Sequence, residues 1–371
     1  MTDLQKAVEK IMQRTKRPAK EEQEQTASGT ANLIPTGSVM LNLACADSWS
    51  GGYGAGKIVN LIGDSSSGKT LLAFSMFAEM SRNERYKDYR LIYDDVEQAC
   101  EFDIAKLFGA GTADRIVAPY YSDIPHHSNN VPQYSGTIQE FHANVMDAIK
   151  LGEPFVYVLD SFDALSSADE QDRAEKSIEA TRAGKPVQGS YKMDKAKLSG
   201  EILRHILADL RSTGSLVLVI SQTRDNIDPM SFTKKTRSGG NALRFYSAHE
   251  IWLAVKGKLK SKDRVIGSQI RAKVSKNKLT GKLREIEFPV YYSYGVDDIG
   301  AAVDFLVEEG KWGKKGNSLV TLGLPGFDGS RQKVIQRIEE SLASPKLFAL
   351  AGETWTEIEE SLKMDRRMKY E

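Results

Sequence analysis

Two cysteines in 371 residues, Cys45 and Cys100, are too few for a disulfide framework, and neither stands at a metal-ligand spacing. Free buried thiols in a reducing compartment are the expected state. No apolar run approaches the roughly 20 residues that a membrane span needs. The N-terminus carries Asp3 and Glu9 and has no apolar signal core, which argues against a secretory or organellar leader and for a cytoplasmic location. Charge of one sign is also lacking: 51 Lys and Arg against 50 Asp and Glu leave a net +1. Affinity for a polyanion would have to come from local basic patches. What is present is an ordinary globular composition, 40% hydrophobic and 27% charged. The length allows one large domain with appendages, or two domains.

The most informative segment is Gly63-Asp64-Ser65-Ser66-Ser67-Gly68-Lys69-Thr70, followed by Leu71. Ile58–Ile62 before it reads as a short buried strand, and Leu71–Met80 after it as a helix. That is the context a phosphate-binding loop requires. Glycines let backbone N–H groups turn toward phosphates, and the helix N-terminus attracts the anion. Lys69 is placed to reach the β- and γ-phosphates and the Thr70 hydroxyl to ligate Mg2+.

From Leu33 to about Tyr294, strand-length apolar runs alternate with helical patterns. Leu91–Tyr93, Phe155–Leu159 and Leu216–Ile220 are continuous apolar runs, as expected of parallel strands covered on both faces. Leu198, Ile202, Ile206 and Leu210 mark one face of an amphipathic helix. Ile251–Val255, Ile270–Val274 and Glu285–Phe288 tend to alternate, which predicts an antiparallel extension. Leu4, Val8, Ile11 and Met12 predict a short N-terminal helix that docks on a neighbouring subunit or, in the plainer reading, is a frayed tail, and the polar stretch Arg14–Ala31 reads as a linker. After Asp297, two helical patterns flank the break Gly323–Gly329, a small α+β appendage. The division is therefore 1–32, helix and linker; 33–296, α/β core; 297–371, appendage.

ATP hydrolysis needs a metal-holding acid and a base for the attacking water. Asp160, at the end of a parallel strand, suits a ligand to Mg2+ through water; a strand-ending turn residue is the plainer reading. Asp94, Asp95 and Glu97 crowd a second strand end, and Glu97 is the choice for the base, although residue chemistry alone barely separates the three. Gln222 follows the strand Leu216–Ile220, where it could contact a γ-phosphate. The loop from Thr223 to Gly239 carries Arg224, Met230, Phe232, Lys234, Lys235 and Arg237 ahead of Gly239-Gly240. Cations and aromatics on such a loop suit a nucleic-acid strand, or an ordinary solvated loop. The basic stretch Lys256–Arg284 could be a DNA groove, a subunit interface or a solvated hairpin. His126-His127 reads as a surface loop, and no role is assigned to the other histidines.

Together these motifs resemble the RecA-type strand-exchange recombinases over almost the entire chain. Gly239-Gly240-Asn241-Ala242-Leu243-Arg244-Phe245-Tyr246 is similar, nearly letter for letter, to that family's signature; Pro35–Asn42, Leu159-Asp160-Ser161 and Lys276-Asn277-Lys278 match further family elements in order. The resemblance implies a RecA-like P-loop NTPase core with a mostly parallel twisted sheet, an N-terminal oligomerisation helix and a small α+β C-terminal domain. It implies ATP and Mg2+ as cofactors and a homo-oligomeric filament on single-stranded DNA that pairs with double-stranded DNA, with room for mediator or single-strand-binding partners. It makes Glu97 the catalytic base and Gln222 the γ-phosphate sensor, with Lys69 in the same catalytic set. It makes Lys276 and Lys278 cations reaching a neighbour's ATP site, and Phe245 an interface aromatic. Thr223–Gly239 becomes the second DNA-binding loop, with Gly240 and Asn241 beside it. Lys197 and Arg204 on the preceding helix become further DNA contacts.

Three departures stand out. The segment 166–191 is long, Ile104 replaces the usual adenine-stacking Tyr, and Lys363–Glu371 lacks an acidic tail. They point to a divergent or bacteriophage-encoded relative. A hexameric helicase on the same core, or a filament-forming regulator with little turnover, are the rival readings.

Overall fold

The apolar runs around the phosphate loop are the central strands of one sheet. The structure is a computed structural model that describes residues 32–119, 133–182, 193–225, 235–237 and 240–366. The expected N-terminal helix and linker, His126-His127 and the loop residues 226–234 lie outside them. All described residues belong to one compact unit beginning at Asn32.

In chain order, β1 (Leu33–Ile34) and β2 (Tyr53–Gly54) flank α1 (Val39–Ala46). Then come β3 (Lys57–Gly63), α2 (Lys69–Arg82), β4 (Arg90–Asp95), the short helices α3 (Ile104–Phe108) and α4 (Ala110–Arg115), and β5 (Ile116–Val117). Next are α5 (Ile138–Lys150), β6 (Phe155–Asp160), α6 (Ala168–Arg182), α7 (Met193–Thr213), β7 (Leu216–Asp225), β8 (Lys235–Arg237) and α8 (Gly240–Tyr246). Strands β9 (His249–Ser261), β10 (Arg264–Asn277), β11 (Glu285–Tyr291) and β12 (Gly295–Val296) complete the sheet. The chain ends in α9 (Asp298–Glu308), the hairpin β13 (Gly313–Lys315) and β14 (Ser318–Val320), α10 (Arg331–Glu340) and α11 (Ser344–Ser361).

The sheet order is β12-β11-β10-β9-β3-β7-β6-β4-β5, with β8 also on β7. From β9 to β5 neighbours are parallel; from β9 to β12 they are antiparallel. Period-2 alternation sends the apolar side chains of the central strands to opposite faces. Val156 and Val158 join one core cluster with Phe74 and Phe77 of α2. Phe155, Tyr157 and Leu159 join another with Phe141 of α5 and Ile206 and Leu210 of α7. A strand buried on both faces carries no polar alternation, which is why these runs read as continuous. Among the described residues no helix is long and apolar enough to cross a membrane. Cys45 is buried and Cys100 partly so, and both are free thiols.

Two readings need correction. The strand that reads as Leu216–Ile220 continues to Asp225, because β8 pairs with Thr223, Arg224 and Asp225. Thr223–Asp225 and Lys235–Arg237 thus form a hydrogen-bonded ribbon. Among the described residues the appendage has three helices, not two. Leu342 takes a left-handed φ of +53° and Pro345 opens α11, which splits a periodic stretch that looks continuous. These helices bury Phe305, Leu306, Leu347 and Ala351 in the same cluster as α2.

Part of the basic stretch is spent on internal ion pairs. Arg284 meets Asp47 at 2.5 Å and Glu359 of α11 at 2.6 Å, and Lys282 meets the same acids at 3.1 and 2.8 Å. Trp355 donates from Nε1 to Asp47 at 3.0 Å and lies 5.1 Å below the Arg284 guanidinium. Burial alone would raise the Asp47 carboxyl. The hydrogen bonds from Trp355 and Lys282 and the charge of Arg284 outweigh burial and hold it below its usual value. A depressed carboxylate contributes stability that is present above its unfolded pKa, about 3.9, and is lost as pH falls through the folded value. Asp47→Asn should therefore destabilise the protein by about 1–3 kcal/mol at pH 7. In denaturant titrations that gap should shrink below roughly pH 4; a pH-independent gap would contradict the ion-pair account.

Candidate functional site

Strand β3 ends at Gly63, and the chain turns through Asp64–Ser67 into α2. Glycine is required at 63, since a Cβ there would strike Ser67 Oγ and come within 2.7 Å of the Leu253 carbonyl. Ser66 (φ +61°) and Gly68 (φ +86°) are left-handed, a bend that turns successive N–H groups toward one anion. Lys69 Nζ spans the loop, donating to the carbonyls of Gly63 at 2.9 Å and Asp64 at 2.7 Å. Burial lowers the Lys69 pKa, and the charges of Asp160, Glu97 and Asp64 only partly offset it. A buried ammonium held by carbonyls gains most from an anion that enters within hydrogen-bond reach. The loop borders a cavity of about 410 Å³ that Tyr93, Glu97, Asp160 and Tyr292 also line, a volume within the range of small-molecule sites.

Asp160 is the last residue of β6. Thr70 Oγ1 donates to its Oδ2 at 2.6 Å, and Tyr93 OH donates to the same oxygen at 3.1 Å. Burial, with a smaller contribution from Glu97, raises the Asp160 pKa against the opposing hydrogen bonds from Thr70 and Tyr93. A carboxylate whose charge is disfavoured by burial gains when a cation arrives beside it. A hydroxyl and a carboxylate are hard oxygen donors of the kind Mg2+ takes, and Mg2+ draws its other ligands from water and phosphate. The residues present therefore fit Mg2+. Among the described residues no three His, Cys, Asp or Glu side chains form a metal cluster.

The three crowded acids separate by geometry. Asp94 is fully buried and accepts from Ser135 N at 2.9 Å, Ser135 Oγ at 2.6 Å and Tyr157 OH at 2.5 Å. Asp95 accepts from the backbone N–H groups of Ala99 and Cys100. Glu97 faces the cavity, where Oε1 accepts from Ser161 Oγ at 2.5 Å and from Gln222 Nε2 at 3.0 Å. Gln222 is anchored in turn, its N–H donating to Asp163 Oδ2 at 2.6 Å, and Thr223 Oγ1 donates to Asp64 of the phosphate loop. Sequence reasoning assigned no role to Tyr93 or Asp163, and took Ser161 only as part of the motif Leu159-Asp160-Ser161. For Tyr93 a signal was available: it shares strand parity with Leu91, which faces α2.

The remaining candidates divide. Lys276 and Lys278 do not line this cavity. Their Nζ atoms donate to the Phe245 carbonyl at 3.1 Å each, and Lys276 also to Arg244 O, at the C-terminal end of α8. Burial, then the neighbouring Lys278, lowers the Lys276 pKa to about 8. Phe245 is 70% exposed, with Lys278 Nζ 5.9 Å above its ring. Arg224 lies on β7, 3.6 Å from Asp163, and Arg204 is exposed on α7. Lys197 belongs to α7, Lys235 and Arg237 to β8, and Gly240 and Asn241 to the start of α8. Met230, Phe232, Lys234 and Gly239 lie outside the described residues.

The RecA N-terminal domain family matches this sequence over residues 2–123 and 148–297. Similar curated proteins include Protein RecA of Rhodopseudomonas palustris, 30% identical over 283 residues, 76% of this chain and 71% of the relative. Protein RecA of Gluconobacter oxydans is 30% identical over 81% of this chain and 75% of its own. That of Brucella anthropi is 31% identical over 76% and 69%.

Removing the buried ammonium tests the loop. Lys69→Ala should weaken Mg2+–ATP binding by about 100-fold in a calorimetric titration while leaving the melting transition in place. Unchanged affinity would remove the loop from nucleotide binding.

Proposed function

The chain belongs to the RecA family, and from that premise we propose that it is a DNA-dependent ATPase that polymerises on single-stranded DNA and promotes homologous pairing and strand exchange. The observation that carries this reading is the meeting of Glu97 and Gln222, 3.0 Å apart, beside the phosphate loop. Gly63 to Leu71 bind the phosphates through backbone N–H groups, and Lys69 turns from its two carbonyls to the β- and γ-phosphates. Mg2+, when bound through Thr70 and through water to Asp160, would neutralise charge on the β- and γ-oxygens. Glu97 accepts the proton of the attacking water, and Ser161 holds the carboxylate in place. A γ-phosphate in the cavity competes for the Gln222 amide, which draws the Gln222 side chain away from Glu97 at the foot of the ribbon formed by β7 and β8.

That ribbon carries the loop proposed to grip DNA through Arg224, Met230, Phe232, Lys234, Lys235, Arg237 and Gly239, with Gly240, Asn241, Lys197 and Arg204 nearby. Nucleotide binding orders the loop and hydrolysis releases it. Lys276 and Lys278, which cap α8 within their own chain, are proposed to reach the ATP of the next protomer, with exposed Phe245 in the same interface. The N-terminal residues 1–32 would dock on that neighbour, 33–296 act as the motor, and 297–371 form the appendage. A cytoplasmic location suits such a role.

The direct test is ATP hydrolysis with and without single-stranded DNA, beside a strand-exchange assay with ATP and with a non-hydrolysable analogue. Wild type should hydrolyse ATP when DNA is present and exchange strands. Glu97→Gln should lose at least about 100-fold in turnover yet stay on DNA. No hydrolysis at saturating DNA would favour a binding regulator. Closed hexamers with unwinding activity would favour a helicase, and normal turnover by Glu97→Gln would move the base elsewhere.

A further inference from the structure

Away from the phosphate site, two histidines from different helices face each other. His142 Nε2 of α5 lies 3.2 Å from His205 Nδ1 of α7, with ring centroids 5.4 Å apart. The pair opens on a surface groove that Glu201, Ile202 and Arg204 also border. Glu201 precedes His205 by four residues, so both project from one face of α7.

Two imidazole nitrogens that share a tetrahedral Zn2+ at about 2.0–2.1 Å stand roughly 3.3–3.4 Å apart. The observed separation is close to that spacing. We propose that His142, His205 and Glu201 form a binding site for a borderline divalent transition metal, Zn2+ foremost, with water in the fourth position. Two imidazoles and one carboxylate are a donor set that open zinc sites use. As placed, no three His, Cys, Asp or Glu among the described residues could hold a metal ion, so the site requires Glu201 to move into reach. The two nitrogens already stand at a chelating separation; each ring turns its lone pair toward the metal, and exposed Glu201 closes the site by rotating its side chain. Burial and then the adjacent His205 lower the His142 pKa, which keeps that ring in the neutral form that ligates metal at neutral pH. Arg204 on the rim opposes a cation, so moderate affinity is expected. A bound metal would tie α7, which carries Arg204 and Lys197, to α5.

The test uses untagged full-length protein stripped with chelator and kept in excess Mg2+ to occupy oxygen-rich sites. Zn2+ should bind at one site per chain by calorimetry and raise the melting temperature by ~2 °C or more. His142→Ala and His205→Ala should each weaken binding at least about 10-fold, and Glu201→Gln several-fold, without changing the melting temperature in chelator. A His126→Asn/His127→Asn variant should bind as wild type does. Co2+ on wild type should give the visible absorption of a tetrahedral site, a readout that needs no variant. An equal Zn2+ response in wild type and in the His142→Ala/His205→Ala double variant would overturn the proposal. So would the absence of both Zn2+ binding and Co2+ absorption, which would leave the pair a hydrogen bond between imidazoles.

Discussion

Parallel pairing in register is the constraint on which the rest of this molecule depends. Gly63 at the end of β3 stands opposite Gln222 on β7, and Asp160 at the end of β6 stands opposite Asp95 on β4. These partners bring the loop Gly63–Thr70, Asp160, Asp95 and Gln222 to one end of the parallel strands. The register is fixed because each face of these strands packs against its own partners, α2 on one side and α5 and α7 on the other. A slip by one residue would exchange the two core clusters and force every side chain into the wrong layer.

Given that placement, the polar site assembles from what each strand end presents. Desolvation sets its tone: it lowers the Lys69 pKa and raises that of Asp160, so each gains when phosphate and cation arrive together. Glu97 is the junction, since its carboxylate accepts from Ser161 beside Asp160 and from Gln222 on β7. One side chain thus touches both the chemistry and the element proposed to report it.

Much of this was legible in the sequence, for physical reasons. The phosphate loop announces itself by spacing between a strand and a helix, and the buried strands by unbroken apolarity. The antiparallel extension shows in its alternation. The division among Asp94, Asp95 and Glu97 was not legible, because the partners that occupy Asp94, Ser135 and Tyr157, lie about 40 and 60 residues away. The extent of β7 depended on its pairing with β8. The third C-terminal helix depended on one left-handed residue, Leu342. The basic stretch Lys256–Arg284 looked like a single surface, yet Lys282 and Arg284 tie α11 to Asp47 while Lys276 and Lys278 cap α8. His142 and His205 meet across 63 positions, a juxtaposition that no local pattern carries.

In the proposed function, Gln222 carries nucleotide state from the loop Gly63–Thr70 to the ribbon proposed to grip DNA. Titrating labelled single-stranded DNA with and without a saturating non-hydrolysable ATP analogue measures that coupling in wild type and in Gln222→Ala. The account predicts that the analogue tightens DNA binding by about 10-fold or more in wild type. In Gln222→Ala the analogue should bind with undiminished affinity and no longer tighten DNA. An intact coupling factor in that variant would contradict the account.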